Sequence, residues 1–201
     1  MQFNLLKLNS KKALLAVVLC LFLATTGCTA QWITVALADL PVLTQMALNI
    51  TTLVTTLRSG QQLSVGEAAA IQNISMQASS DLNLLQSLYN QYKAAPNGDT
   101  LQKIQNTIAE INLNLPALLA AAHISDPVLA ARVTAAVNLV LTTVQSFAAL
   151  LPTTAGTSQH IPGRKLSIPT ASDLKKQWNQ QVCAPTGKPA LDAAFAACTL
   201  R

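Results

Sequence analysis

Residues 101–122 read LQKIQNTIAEINLNLPALLAAA, and their apolar positions decide the fold. Leu101, Ile104, Ile108, Ile111, Leu115, Leu118 and Ala122 follow one another at alternating intervals of three and four. That rhythm places them on one stripe of an α-helix, whereas a half-buried strand would alternate with period two. Three more stripes keep the same rhythm. They are Ala36, Leu40, Leu43, Ala47, Ile50, Val54 and Leu57; then Ile71, Ser75, Ala78, Leu82, Leu85, Tyr89 and Tyr92; then Ala130, Val133, Val137, Val140, Val144, Phe147 and Leu151. Stripes of this kind form the seam along which helices pack at a shallow crossing angle.

The punctuation between stripes agrees. Arg58-Ser59-Gly60 ends the first helix, and Ser64-x-x-Glu67 has the form of a capping box that opens the second. Pro96-Asn97-Gly98 breaks the chain, and Asp99, with Gln102 reaching back, is expected to cap the third helix. Ser125-Asp126-Pro127 opens the fourth, with proline in the first turn, where its missing N–H costs nothing. Connections this short force neighbouring helices to run antiparallel. The expectation is an all-α protein: an up-down-up-down four-helix bundle over residues 28–152. Pro41 should mark a fresh start after Asp39 or a kink, and Pro116 should kink the third helix.

Residues 153–171 are rich in Thr, Ser, Gly and Pro and read as a linker. Residues 172–201 then carry two short helical patterns. In the first, capped by Ser172-Asp173, Leu174 and Trp178 share a face. In the second Leu191, Phe195 and Cys198 do. Cys183 and Cys198 can close this hairpin with a disulfide, because two short helices bury too little surface to hold together alone.

The N-terminus is an address. Lys7, Lys11 and Lys12 precede an unbroken apolar run at 13–24 (ALLAVVLCLFLA), and small residues follow. Basic start, short apolar run and small-residue region are the three parts of a secretory signal. The run is shorter than the roughly 20 residues of a membrane span. Residues 1–27 are therefore set aside as a signal peptide. Its end, Thr25-Thr26-Gly27-Cys28, resembles the lipobox of bacterial lipoprotein signal peptides. Thr25 stands where that family usually has Leu, and Leu23 lies two places further upstream. The resemblance implies that Cys28 becomes the first mature residue and carries diacylglycerol on its sulfur. It covers the signal only. Thr29, rather than Asp, after the cysteine resembles outer-membrane sorting in enteric lipoproteins. The implied location is the bacterial cell envelope, anchored to a membrane, with the periplasmic face of the outer membrane favoured. Ordinary cleavage after Ala30, releasing a soluble periplasmic or secreted protein, stays open. Removing Cys20 with the signal and Cys28 to lipid leaves Cys183 and Cys198 as an even pair in an oxidising compartment.

The charge distribution narrows the partners. Of 201 residues only 10% are charged, with a formal net of +5. Residues 28–159 hold four basic and six acidic groups, while residues 160–201 hold six basic and two acidic groups. The cationic character of the mature chain thus belongs to its tail. Arg164, Lys165, Lys175 and Lys176, with Trp178 and Phe195, are the candidate interaction residues. Their partners would be an envelope protein or anionic lipid headgroups. Packing of Trp178 and Phe195 against each other or against the bundle is the simpler expectation. Export and charge placement disfavour nucleic acid.

No catalytic residue, metal or cofactor is assigned. A di-iron bundle needs Glu on two helices and Glu-x-x-His on the others, and His123 has no Glu three residues before it. C-x-x-C-H, G-x-S-x-G, H-E-x-x-H and the Walker pattern are absent. The reading is a non-catalytic, lipid-anchored bundle with a structural or protein-interaction role. Two alternatives remain open: a carrier or sensor of an apolar ligand in the bundle core, and a membrane-inserting helical protein.

Overall fold

A computed structural model describes the backbone of residues 9–59, 63–151 and 168–201. Among the described residues it contains six helices and no strand. They are α1 (Asn9–Ser59), α2 (Val65–Ala94), α3 (Gly98–Ala121), α4 (Pro127–Ala148), α5 (Ala171–Gln181) and α6 (Pro189–Ala197). Each of the first four packs on the next in sequence, and α4 returns to contact α1. The four stripes meet in one apolar cluster. Of their members, Tyr92, Leu118, Ala130 and Leu151 are half-buried and the rest are buried. Ile74, Leu88 and Leu139 widen the buried faces beyond a strict heptad seam, as core-facing helices require.

The helix ends explain the boundaries. Ser64 Oγ accepts from the Glu67 backbone N–H, while Glu67 Oε2 accepts from Ser64 N at 3.0 Å, completing the capping box of α2. α3 starts a residue before the expected cap at Asp99. Asn97 is its N-cap, accepting from Thr100 N at 2.8 Å, which leaves Asp99 in the first turn. Asp126 caps α4 through the amides of Val128 and Leu129. α5 likewise begins earlier than Ser172-Asp173 suggests. Thr170 is its N-cap, and Asp173 is the third residue of the box rather than the cap. In both cases a polar side chain two or three residues upstream reaches free amides that the expected cap cannot serve. No new start occurs at Asp39: Pro41 and Pro116 both lie inside continuing helices.

Hydrogen bonds between elements fix local registers. Ser75 Oγ donates to Ala47 O and lies 2.6 Å from Thr51 Oγ1, holding α2 on α1. Gln145 Nε2 donates to Asn112 Oδ1 between α4 and α3. Glu67 Oε1 accepts from Ser125 N at 2.7 Å, so the start of α2 is tied to the turn between α3 and α4. These bonds to Ser64 and Ser125 hold the Glu67 carboxyl down to about 2.

α5 and α6 are part of the same core. α5 packs on α1 and α4, and α6 packs on α1. Leu174, Trp178, Val182, Leu191, Ala194 and Phe195 join the apolar cluster of the longer helices. A free-standing hairpin of this size would leave these side chains half in water. Docking in the groove beside α1 buries them.

Candidate functional site

A cluster of specific polar contacts lies where α5 and α6 meet α1 and α4. Its centre is Cys198. The chain bridges Cys183 and Cys198, whose Cα atoms are 6.3 Å apart, across a sequence separation of 15. The Cys198 carbonyl accepts from Trp178 Nε1 at 2.8 Å and from Asn49 Nδ2 at 3.0 Å. One carbonyl therefore joins α5, α1 and the end of α6. The disulfide holds that carbonyl in place, and the indole N–H that Trp178 had to bury finds its partner there.

Arg132 on α4 grips the other side. Its guanidinium donates to Gln181 O and Ala184 O and lies 5.8 Å from the centre of the Phe195 ring. Two carbonyls suit the two-pronged donor fork of arginine. Lys188 forms an ion pair with Asp126 at 3.0 Å. The amides of Leu129 and Val128 and this lysine hold the Asp126 carboxyl below its ordinary range. Asn179 and Leu200 exchange two hydrogen bonds, at 2.8 and 2.9 Å, and Lys175 Nζ donates to Arg201 O at 2.7 Å.

Asp39 completes the seam. It is 1% exposed on α1, and its carboxylate accepts from the backbone N–H of Ala171, the first residue of α5. Its Oδ2 is buried and has no hydrogen-bond partner among the described residues. Burial, with Asp173 nearby, pushes the carboxyl up to about 6 against the pull of the Ala171 amide.

Against this geometry the candidate interaction residues separate. Trp178 and Phe195 are both 0% exposed and belong to the core, so neither presents a surface to a partner. Lys175 is occupied by the C-terminal backbone, and Lys176 stands beside Asp173. Arg164 and Lys165 lie outside the described residues. Cys28 falls within the backbone of α1, which runs unbroken through it. Asp39, Asn49 and Arg132 were not singled out as site residues in the sequence. Asp39 offered a signal, since it is the only charge between Trp32 and Leu57. Arg132 stands alone in the same way on a helix with no other charge. Asn49 gave none.

Two surface grooves adjoin the helices. One, of about 590 Å³, runs between α4 and α5 past Thr142, Thr143, Ser146 and Lys176. Its three hydroxyls donate to carbonyls of their own helix. The other, of about 400 Å³, is lined by Asn73, Met76, Gln77, Ser80 and Leu118. The small core residues Ala47 and Ser75 draw two helices together through the Ser75 hydroxyl. Among the described residues, no three His, Cys, Asp or Glu side chains gather as metal ligands. Family models, characterised proteins and solved structures yield no match to this chain.

Proposed function

We propose that the protein is a lipid-anchored component of the bacterial cell envelope. In this reading Cys28 is the acylated first residue of an up-down-up-down four-helix bundle, closed by the docked C-terminal hairpin. Its role is structural or protein-binding rather than catalytic. The observation that carries the reading is the Cys183–Cys198 disulfide. A bridge of this kind persists in an oxidising compartment, the destination that the signal and its Thr25-Thr26-Gly27-Cys28 end imply. The antiparallel arrangement is supported by where the cross-helix bonds fall. Ser75 with Ala47 and Thr51, and Glu67 with Ser125, each pair residues nearly equidistant from the turn between their helices.

The test is processing in cells. Labelled palmitate should enter the wild-type chain and not Cys28→Ala, and globomycin should accumulate the unprocessed precursor. A Cys28→Ala chain with unchanged mobility and unchanged membrane association would refute the anchor.

A further inference from the structure

We propose that the bundle stands on end on the bilayer, with the turn at residues 95–98 seated among the lipid headgroups beside Cys28. This rests on the anchor reading and adds an orientation and a contact surface to it.

The first observation is the shortness of the tether. Ile33 is already core, at 3% exposure. Only Thr29, Ala30, Gln31 and Trp32 separate it from Cys28, with neither glycine nor proline among them. As the helix that α1 forms there, Cys28 to Ile33 spans about 7.5 Å. Even fully extended, the same stretch reaches at most about 18 Å. An acylated Cys28 therefore holds the first layer of the core at or just outside the headgroups, whose layer is about 5–7 Å thick. A tryptophan falls within that interval, the residue type that favours the membrane–water boundary.

The second observation is register. Ser75 bonds to Ala47 and Thr51, so it lies level with the middle of that interval on α1. In the antiparallel pair, about twenty residues onward along α2 reaches Ala95, and the same rise along α1 reaches the vicinity of Cys28. The turn between α2 and α3 is thus level with the anchor. Residues 93–99 are all exposed, and 94–98 (AAPNG) carry no charge. Lys93 stands beside the turn, offering an ammonium to anionic headgroups, with Asp99 opposing it from the other side. The opposite end is marked by the Glu67–Ser125 bond and lies about 36 Å away along α3.

The competing pose is a bundle lying on its side, on the exposed Met76, Leu84 and Leu113. The uncharged turn and the short axial tether favour the end.

Depth-dependent quenching decides between the poses. Full-length protein is expressed with its signal, and the intact mass establishes the acyl chains. It is then reconstituted into phosphatidylethanolamine–phosphatidylglycerol vesicles containing headgroup spin-labelled lipid. An environment-sensitive fluorophore is attached at Pro96→Cys, Ser125→Cys or Leu113→Cys, the Cys183–Cys198 bridge being left intact. Lys93→Cys serves as a second near-end probe in case the turn does not tolerate the label. Quenching several-fold stronger at 96 or 93 than at 113 and 125 is expected. Equal quenching at 96 and 125, or the strongest quenching at 113, overturns the orientation while leaving the anchor standing. A mass without acyl chains overturns the anchor, and the orientation with it.

Discussion

Asp39 should make the protein less stable as the pH rises from 4 to 7, and Asp39→Asn should abolish that loss. The carboxyl is held at about 6 in the folded chain against an ordinary 3.8. Between those values the folded state keeps a proton that the unfolded state has released. Stability from this group is therefore full below about pH 4, falls as pH climbs toward 6, and is flat above. The displacement corresponds to at most about 3 kcal/mol, reduced by the solvent screening the carboxyl retains. Asparagine keeps an oxygen for the Ala171 amide. It also places a donor at the position whose buried oxygen has no partner among the described residues, as a protonated acid does. The assay is urea unfolding of wild type and variant at four pH values from 4 to 7. The two should be similar at pH 4, and the variant should lead by about 1–3 kcal/mol at pH 7. Glu67, Asp126, Asp173 and Asp192 are all held low by their hydrogen bonds, so their contributions are lost on acidification. They are common to both chains and cancel in the difference. A difference constant across the range would refute the assignment of a buried, reluctantly ionised carboxylate at this seam.

Three further outcomes are expected. Reducing the Cys183–Cys198 bridge, or Cys198→Ser, should lower stability by about 3 kcal/mol for a loop of this length, read as a shift in the guanidinium midpoint with and without reductant. Trp178→Ala should cost about 3–5 kcal/mol. Trp178→Phe, which removes mainly the N–H bond to Cys198 O, should cost about 1–2 kcal/mol, and the two are compared by thermal unfolding. His123 holds a left-handed φ of 43° just past the end of α3. His123→Gly should therefore raise stability by up to about 1 kcal/mol in the same measurement, since only glycine takes that conformation without strain.

The helices and their buried faces were legible because they are written locally. A residue's neighbours three and four positions away report which side faces inward, and the stripe from Leu101 to Ala122 needs no knowledge of any other element. Exact caps were less legible. Asn97 and Asp99 are both good capping residues, and so are Thr170 and Ser172. The choice depends on which one reaches the free amides once the chain is folded.

The seam between hairpin and bundle was not legible, and its chemistry explains why. Asn49 and Cys198 are 149 positions apart, and Arg132 meets carbonyls about fifty residues away. The acceptors, Cys198 O for Asn49 and Gln181 O and Ala184 O for Arg132, are backbone atoms, which every sequence has and no sequence advertises. What the composition did carry was an anomaly: single charges, Asp39 and Arg132, on long apolar helices. Burying either without partners would be costly, so each lone charge implied that something would cover it. That covering element is the C-terminal hairpin, with the Ala171 amide on one charge and two carbonyls and the Phe195 ring on the other. Trp178, Phe195 and Lys175 are thereby consumed in holding the molecule closed, while Lys176 stays exposed. A search for a partner surface is better directed to the exposed turn at 95–98 and to Met76, Leu84 and Leu113 than to the hairpin core.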